Sequence, residues 1–427
     1  MTGPGDFDSR APGTPPVTVV MPTRNQASFI ERAIASVFAQ GITGLELCVQ
    51  DGASTDGTPA LLQRLAARHP GLRRISEPDN GPADAVNRAV ARGRGAVIGW
   101  LNSDDLYTPG AVDRALTHLQ QHPQHVMVYG EGEHIDAEGT VIGRYPTRDP
   151  ATPLEAWADG CPICQPTVFL RREAFDALGG LDTQLRTAFD YEFWLRLLKA
   201  HPGGAGMLPD VQAQSRLHAG AITLRLREAV ALEGLKVIHR HIGPAPAHWL
   251  LTHFEEVMSG LPFDGSDEAP APRLRNLVER ASPWLSAAAV AELLHRIDDH
   301  RALALATGDL FVPLHADGWA GPELEIRLRM DEAGSGGVRL HGLHASPRPG
   351  PLRLHWQHDS AALRRTWTVE PGPFTVDMPL PRLPPGAPVR LRLTALDTFV
   401  PAEVEALSTD RRVLAYQVLR VERLPMP

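Results

Sequence analysis

Residues 96–105 read Ala-Val-Ile-Gly-Trp-Leu-Asn-Ser-Asp-Asp, an apolar run that ends on two adjacent carboxylates. A short apolar run closed by polar turn residues reads as a buried strand. In open α/β sheets ligands sit beyond the carboxyl ends of the strands, so Asp104 and Asp105 fall where a site is expected. Neighbouring side chains at a strand end point in different directions, so one carboxylate can hold a divalent metal while the other bonds a sugar hydroxyl. Mg2+ or Mn2+ suits such a pair, because these hard ions take one or two carboxylates and complete their shell with phosphate oxygens and water. Taken alone, Asp-Asp ahead of Thr108-Pro109 reads as well as the start of a helix.

The same alternation of apolar runs and helical patterns extends from residue 17 to about residue 220, the manner of an α/β domain. Val17 to Met21, Leu45 to Gln50 and Leu72 to Ser76 read as strands. Ser28 and Glu31 have the spacing of a capping box for a helix carrying Ile30, Ala33, Ile34 and Val37. Thr58-Pro59 reads as the cap and first-turn proline of a second helix, and Ala83 to Arg92 as a third. A second acidic strand end follows Gln50, in Asp51-Gly52-Ala53-Ser54-Thr55-Asp56-Gly57-Thr58; turn chemistry alone explains such a loop about as well as a site does.

With Asp79-Asn80-Gly81-Pro82 ahead of a helix containing Asp84 and Asn87, these segments resemble family 2 glycosyltransferases of the GT-A fold. The matching stretches are VTVVMPTRNQASFIERAIASVFAQ, LELCVQDGASTDGT, SEPDNGPADAVNRAVARGRGAVIGWLNSDD and GGLDTQLRTAFDYEFWLRL, in the family's order over about residues 17–220. The resemblance implies that Thr23 and Asp51 hold the nucleotide base and that Asp104 is the ribose-side carboxylate. It further implies that Asp105 binds the metal, and that Gly81 and Asp84 belong to the donor side. His218, in Arg216-Leu217-His218, falls where the family places a histidine on metal or diphosphate, and Gln165 falls on the acceptor side. Two positions depart from the commonest pattern: Gln50 precedes Asp51, and Phe189 precedes Asp190.

Sugar transfer from a nucleotide diphosphate to a hydroxyl needs a carboxylate near the acceptor to take its proton, while a metal neutralises the departing diphosphate. Asp190, at the start of the helical run DYEFWLRLL, is the candidate base, with Glu192 as the alternative. A charge placed there by the helix dipole is the plainer reading.

From residue 223 to about 308 the pattern is helical, broken by LPFDGSDEAPAP, and residues 309–427 switch to a period of two. Leu324, Ile326, Leu328; Leu352, Leu354, Trp356; Phe374, Val376, Met378; and Val389, Leu391, Leu393 alternate in this way, which predicts an antiparallel β-sandwich. Trp319, Trp356 and Trp367 read more readily as core than as a sugar platform. The run FVPAEVEALSTDRRVLAYQVLRV is similar to segments beside bacterial surface-polysaccharide glycosyltransferases, which makes the sandwich an acceptor-binding or assembly module. Residues 1–16 read as a loose tail ahead of the domain at 17–222.

The whole chain of 427 residues carries a formal charge of −8, with 43% apolar and 22% charged residues. That balance excludes a disordered chain and gives no basic run for nucleic acid. No apolar stretch approaches membrane length and no signal-peptide pattern opens the chain, so the cytoplasm is expected, with room for peripheral attachment at the inner membrane face. Three cysteines form no disulfide framework, and Cys161-x-x-Cys164 lacks the second pair a zinc site needs. Gly93-x-Gly95 runs from helix into strand, the reverse of a phosphate-binding turn. His239-Arg240-His241 reads as a polar helix end.

The expected activity is therefore metal-dependent, inverting sugar transfer from a nucleotide-diphosphate donor, a UDP-sugar first, to a glycan or lipid-linked glycan. Two rivals remain. A sugar-phosphate nucleotidyltransferase would want a glycine-rich loop after the first strand, where Pro22-Thr23-Arg24-Asn25-Gln26 has none. A non-catalytic glycan-binding protein would not need carboxylates at 51, 104, 105 and 190.

Overall fold

The computed structural model describes residues 16–258, 270–300, 310–315, 317–330, 335–358, 363–404 and 408–425. The loose tail, all but its last residue, and most of the break at 261–272 lie outside the described residues. The chain divides into two compact units, Met1–Trp249 and Leu250–Pro427.

The first unit runs β1 (Val17–Thr23), α1 (Ile30–Phe38), β2 (Glu46–Asp51), α2 (Thr58–Arg68), β3 (Leu72–Ser76), α3 (Pro82–Arg92), β4 (Val97–Trp100), β5 (Leu106–Tyr107) and α4 (Ala111–Gln121). It continues with β6 (Met127–Ile135), β7 (Val141–Arg144), β8 (Phe169–Arg171), α5 (Arg172–Ala177), α6 (Phe189–Ala200), β9 (Ala205–Arg216), α7 (Ile222–Arg225) and α8 (Arg227–His241). These strands form one nine-stranded sheet in the order β3-β2-β1-β4-β8-β6-β9-β5, with β7 on β6. Strands β1 to β4 are parallel, and β8 turns antiparallel between β4 and β6. Because β2 and β3 lie on one side of β1 and β4 on the other, the strand order reverses beside β1. The carboxyl ends of β1 and β4 thus flank the crevice where such sheets bind ligands.

The central parallel strands β1, β2 and β4 are buried on both faces: on one of them Val17, Val19 and Met21 pack with Ile30, Ile34 and Val37 of α1, with Leu47 and Val49 of β2 and with Val97. Gly93 and Gly95 serve packing here. A Cβ on Gly95 would lie 2.3 Å from the Thr18 nitrogen, and one on Gly93 2.4 Å from Thr18 Cγ2, so only glycine lets the end of α3 pass this close to β1.

Two helix starts differ from expectation. Ser28 forms no capping box; α1 begins at Ile30 without a side-chain cap, and the Phe29 and Ile30 N–H groups donate to the Gln26 carbonyl. The cause is the loop before it, which is tied to residues 54–58. Asn25 N donates to Ser54 Oγ (2.7 Å), Gln26 N to Thr58 Oγ1 (3.0 Å) and Ala27 N to Asp56 Oδ2 (3.1 Å). Thr58 is accordingly the first residue of α2 rather than its cap, and Asp56 Oδ1 accepts the Thr58 N–H (2.9 Å).

The second unit contains α10 (Pro270–Ala281) and α11 (Ala287–Asp299), after α9 (His248–Met258) at the boundary between units, and two antiparallel sheets. Of its strands, β12 (Glu323–Arg329), β14 (Leu352–His358), β15 (Arg364–Val369) and β17 (Pro388–Ala395) belong to a five-stranded sheet; β13 (Ser335–His344), β16 (Gly372–Pro379) and β18 (Tyr416–Pro425) belong to a four-stranded one. The remaining strands are the short β10 (Leu310–Phe311) and β11 (Trp319–Ala320). Each sheet buries one face, as the alternating pattern predicts: Leu324, Ile326 and Leu328 on one, Val338 and Leu340 on the other. Trp356 is fully buried and is core, and Trp319 packs edge-on against Phe399.

Candidate active site

At the end of β1, Thr23 is paired in register with Asp51 at the end of β2. The Thr23 hydroxyl is buried and has no hydrogen-bond partner among the described residues. A buried hydroxyl left without a partner is costly, so Thr23 keeps unused hydrogen-bonding capacity at this strand end. Asp51 is fully buried but well satisfied: Ser54 Oγ donates to Oδ1 and Ser76 Oγ to Oδ2, each at 2.5 Å. Its carboxylate ties the ends of β2 and β3 together beneath the crevice. Asp79 faces the same place, because a Cβ on Gly52 would lie 2.7 Å from Asp79 Oδ2, and burial raises the Asp79 pKa above the ordinary carboxylate value.

Gly81 has φ +111° with open space around it, so it supplies the backbone turn into α3. Asp84 is engaged at that helix start. Its Oδ2 accepts the Asn80 N–H (2.9 Å), and its carboxylate pairs with Arg88 (2.8 Å). Burial works against its charge, yet the Asn80 N–H and Arg88 hold its pKa below the usual value.

The two carboxylates after β4 have different surroundings. Asp105 is 3% exposed, and both its oxygens are engaged: Oδ1 by the Arg216 N–H (2.8 Å), Oδ2 by Asn102 Nδ2 (3.2 Å). Burial, with the Asp104 charge beside it, pushes its pKa well above the carboxylate range. Asp104 is half-buried, and its Oδ2 lies 3.0 Å from His218 Nε2. Its Oδ1 has no hydrogen-bond partner among the described residues. Asp105 thus holds the loop to β9, and Asp104 is the more exposed of the two carboxylates.

Arg216, which sequence reasoning treated only as a neighbour of His218, organises this corner. Its Nε donates to the Asp104 carbonyl (2.8 Å), and its NH1 to the carbonyls of Asp136 (2.8 Å) and Ala137 (3.0 Å). Phe29 closes the corner, its ring 4.7 Å from that of His218 and 5.1 Å from the Arg216 guanidinium carbon. His218 Nδ1 accepts the Gly220 N–H (3.2 Å), an arrangement that leaves the proton on Nε2, donated to Asp104.

Gln165 is buried beneath the loop that carries the carboxylates. Its Nε2 donates to the Trp100 carbonyl (2.8 Å) and its Oε1 accepts from Asn102 Nδ2 (2.8 Å), which fixes the loop carrying Asp104. Trp100 Nε1 also donates to Asn102 Oδ1 (3.1 Å), and its ring stacks on Phe189 at 5.8 Å. Phe189, the departure noted before Asp190, thus packs the start of α6 against the end of β4.

Asp190 accepts the Tyr191 N–H (2.7 Å) at the first turn of α6, and burial raises its pKa to about 6. Burial also drives the Cys164 thiol well up, with the Asp105 and Asp190 charges adding to it, so that thiol lies near both carboxylates. Glu192 is committed elsewhere. It is 3% exposed and binds Arg196 (2.7 Å) and His241 Nε2 (3.1 Å). Burial opposes its charge, but His241 and Arg196 hold its pKa below the usual value. Glu192 thus ties α6 to α8. His241 and Arg240 likewise have acidic partners, Glu192 and Asp182, that the sequence did not reveal.

Among the described residues no group of three or more His, Cys, Asp and Glu side chains is placed to hold a metal ion. The carboxylate of Asp104, held through Oδ2 by His218, is a hard oxygen donor of the kind that fits Mn2+ or Mg2+ when phosphate oxygens and water complete the shell. No helix among the described residues is long and apolar enough to cross a membrane.

Residues 18–179 match the family model described as Glycosyl transferase family 2. The chondroitin synthase of Escherichia coli is 33% identical over 193 residues, covering 44% of this chain and 27% of that protein. The hyaluronan synthase of Pasteurella multocida is 29% identical over 190 residues, covering 44% of this chain and 19% of that protein. The chain thus spans about a fifth to a quarter of the length of these two relatives. A solved structure of S. aureus TarS 1–349 in complex with UDP matches with a TM-score of 0.48 and 14% identity, over 74% of this chain and 97% of that one. Together with the strand-end carboxylates and the parallel sheet that carries them, the family match identifies residues 18–179 as a family 2 glycosyltransferase domain.

Proposed function

We propose that the chain transfers a sugar from a nucleotide-diphosphate donor, a UDP-sugar first, to a hydroxyl of a growing bacterial glycan by a single inverting displacement. The observation that carries this reading is the pairing of Asp104 with His218 at the carboxyl end of β4, beside the switch in strand order. Thr23, with its unpartnered hydroxyl, and Asp51 with Asp79 would take the nucleoside. Asp104 would hold Mg2+ or Mn2+, with His218 orienting its carboxylate through Oδ2. The bound ion would offset the negative charge of the departing diphosphate.

Asp190 would be the general base. A carboxyl with a pKa of about 6 is ionised at neutral pH yet basic enough to accept a proton as the acceptor oxygen attacks. Two relatives are named for polysaccharide synthesis, which supports a glycan acceptor. A soluble or membrane-attached state at the inner face of the cell membrane belongs to the same proposal.

The reading is tested by saturation-transfer binding and turnover with UDP-, GDP- and TDP-sugars in Mn2+. Turnover of at least one donor, with NMR showing the opposite anomeric configuration in the product, is expected. Binding without turnover on any glycan acceptor would overturn it.

A further inference from the structure

The outward faces of the two sheets in the second unit differ in charge. On the four-stranded sheet the charges close on one another: Arg339 forks onto Asp377 at 2.7 Å through two nitrogens, and Glu422 takes both His341 (3.1 Å) and Arg420 (2.6 Å). On the five-stranded sheet Arg327 of β12 closes on Glu325 (2.6 Å), and beyond that pair the register gathers further arginines. Arg392 of β17 stands opposite Gln357 of β14, which stands opposite Arg364 of β15. Arg390 is on the same face of β17 two residues from Arg392, and Arg353 on the same face of β14.

All four guanidinium side chains belong to exposed residues. Arg353 is paired with Asp397 (2.8 Å), and Arg392 has only a distant Glu325 (3.8 Å). Arg364 and Arg390 have no ion-pair partner among the described residues. Strand geometry sets their spacing at about 7 Å along β17 and about 10 Å from β17 to β15. Between them stand His355, Gln357, Thr366, Thr368 and Thr394, with His355 Nδ1 and Thr366 Oγ1 3.1 Å apart. In a chain whose net charge is −8, this is a local concentration of positive charge.

We infer that this face of the five-stranded sheet binds an acidic polysaccharide. Guanidinium forks match carboxylates in two-point geometry, and hydroxyl and amide side chains between them match sugar hydroxyls. A lipid surface would want several aliphatic or aromatic side chains beside the cations, whereas here Pro388 at one end of β17 and the exposed Leu396 just past its other end flank a row of arginines and hydroxyl groups. Single-stranded nucleic acid would want aromatic stacking residues, which this face lacks. The choice of a glycan among polyanions rests on the proposed function; the surface itself does not.

The test uses the full chain with hyaluronan as a carboxylated probe and dextran as its uncharged counterpart, at several salt concentrations. Phosphatidylglycerol vesicles and an oligo-deoxythymidine complete the set. Hyaluronan should bind, weaken steeply as salt rises, and lose about tenfold or more in affinity in the Arg364→Glu, Arg390→Glu, Arg392→Glu variant. The corresponding Lys variant should retain part of the affinity, and both should melt with the parent protein. Equal binding of dextran, unchanged binding by the triple Glu variant, or binding of vesicles or oligonucleotide in place of hyaluronan would overturn the inference. Donor turnover measured on the same preparations reports the catalytic reading separately, because binding is read without a donor.

Discussion

Asp104 and His218 are 114 positions apart in sequence, and their side chains meet with 3.0 Å between Oδ2 and Nε2. Asp105, one residue away, points into the protein and holds the backbone of Arg216. On the proposed reading the two adjacent carboxylates divide the work between ligand and scaffold. Asp104→Asn should lower Mn2+ affinity about 10- to 100-fold, as should His218→Ala, while Asp105→Asn, which keeps an oxygen for Arg216, should retain Mn2+ binding. Titration calorimetry with Mn2+ and UDP checks the contrast. Equal losses in the two Asp→Asn variants would contradict it.

The Asp190 carboxyl gives two pH effects. Activity should rise with pH through about 6 as the base ionises, and this limb should vanish in Asp190→Asn along with a loss of about 10²–10⁴ in kcat. Stability runs the other way. With a folded pKa above the unfolded value of about 3.9, the folded state binds more protons between pH 4 and 6, so stability falls as pH rises through that window. Asp190→Asn should therefore raise stability by up to about 3 kcal/mol at pH 7.5 and leave it little changed near pH 3.5. Denaturant melts at the two pH values decide it.

Thr23→Val removes a hydroxyl that has no partner among the described residues. Such a change should be neutral or slightly stabilising, by less than about 1 kcal/mol, because no hydrogen bond within the protein is lost. The KM for the nucleotide donor should rise several-fold with kcat little changed. A marked loss of stability would show that the hydroxyl serves the fold and not a ligand.

The strands and the sites at their ends were legible because apolar runs and Asp-bearing turns are local signals. Gln50-Asp51, Asn102 to Asp105 and Asp190 all lie where the pattern put them. The division of labour within the site was not legible, since it depends on contacts made across the chain. Nothing near Asp105 announces that Arg216, far along the sequence, donates its N–H to it, or that Gln165 turns inward to hold Asn102. Glu192 reads as a helix-start acid until α8 brings His241 against it. Ser28 satisfied a capping rule that the loop bonds to Ser54, Asp56 and Thr58 override.

Glu192→Gln should act on stability and not on chemistry. It weakens a buried pairing to Arg196 and His241, so a loss of about 1–3 kcal/mol is expected, with kcat on remaining folded protein within about twofold. Chemical denaturation alongside steady-state kinetics separates the two. A collapse of kcat at unchanged stability would restore Glu192 as a base.

The central claim is that this crevice turns over a nucleotide sugar through a metal held at Asp104. The direct measurement is release of nucleoside diphosphate from the accepted donor in Mn2+, comparing the parent protein with Asp104→Ala at matched folded concentration. The account predicts release by the parent, its loss on chelation, and a fall of at least about 10²-fold in the variant. Undiminished release by Asp104→Ala would contradict it.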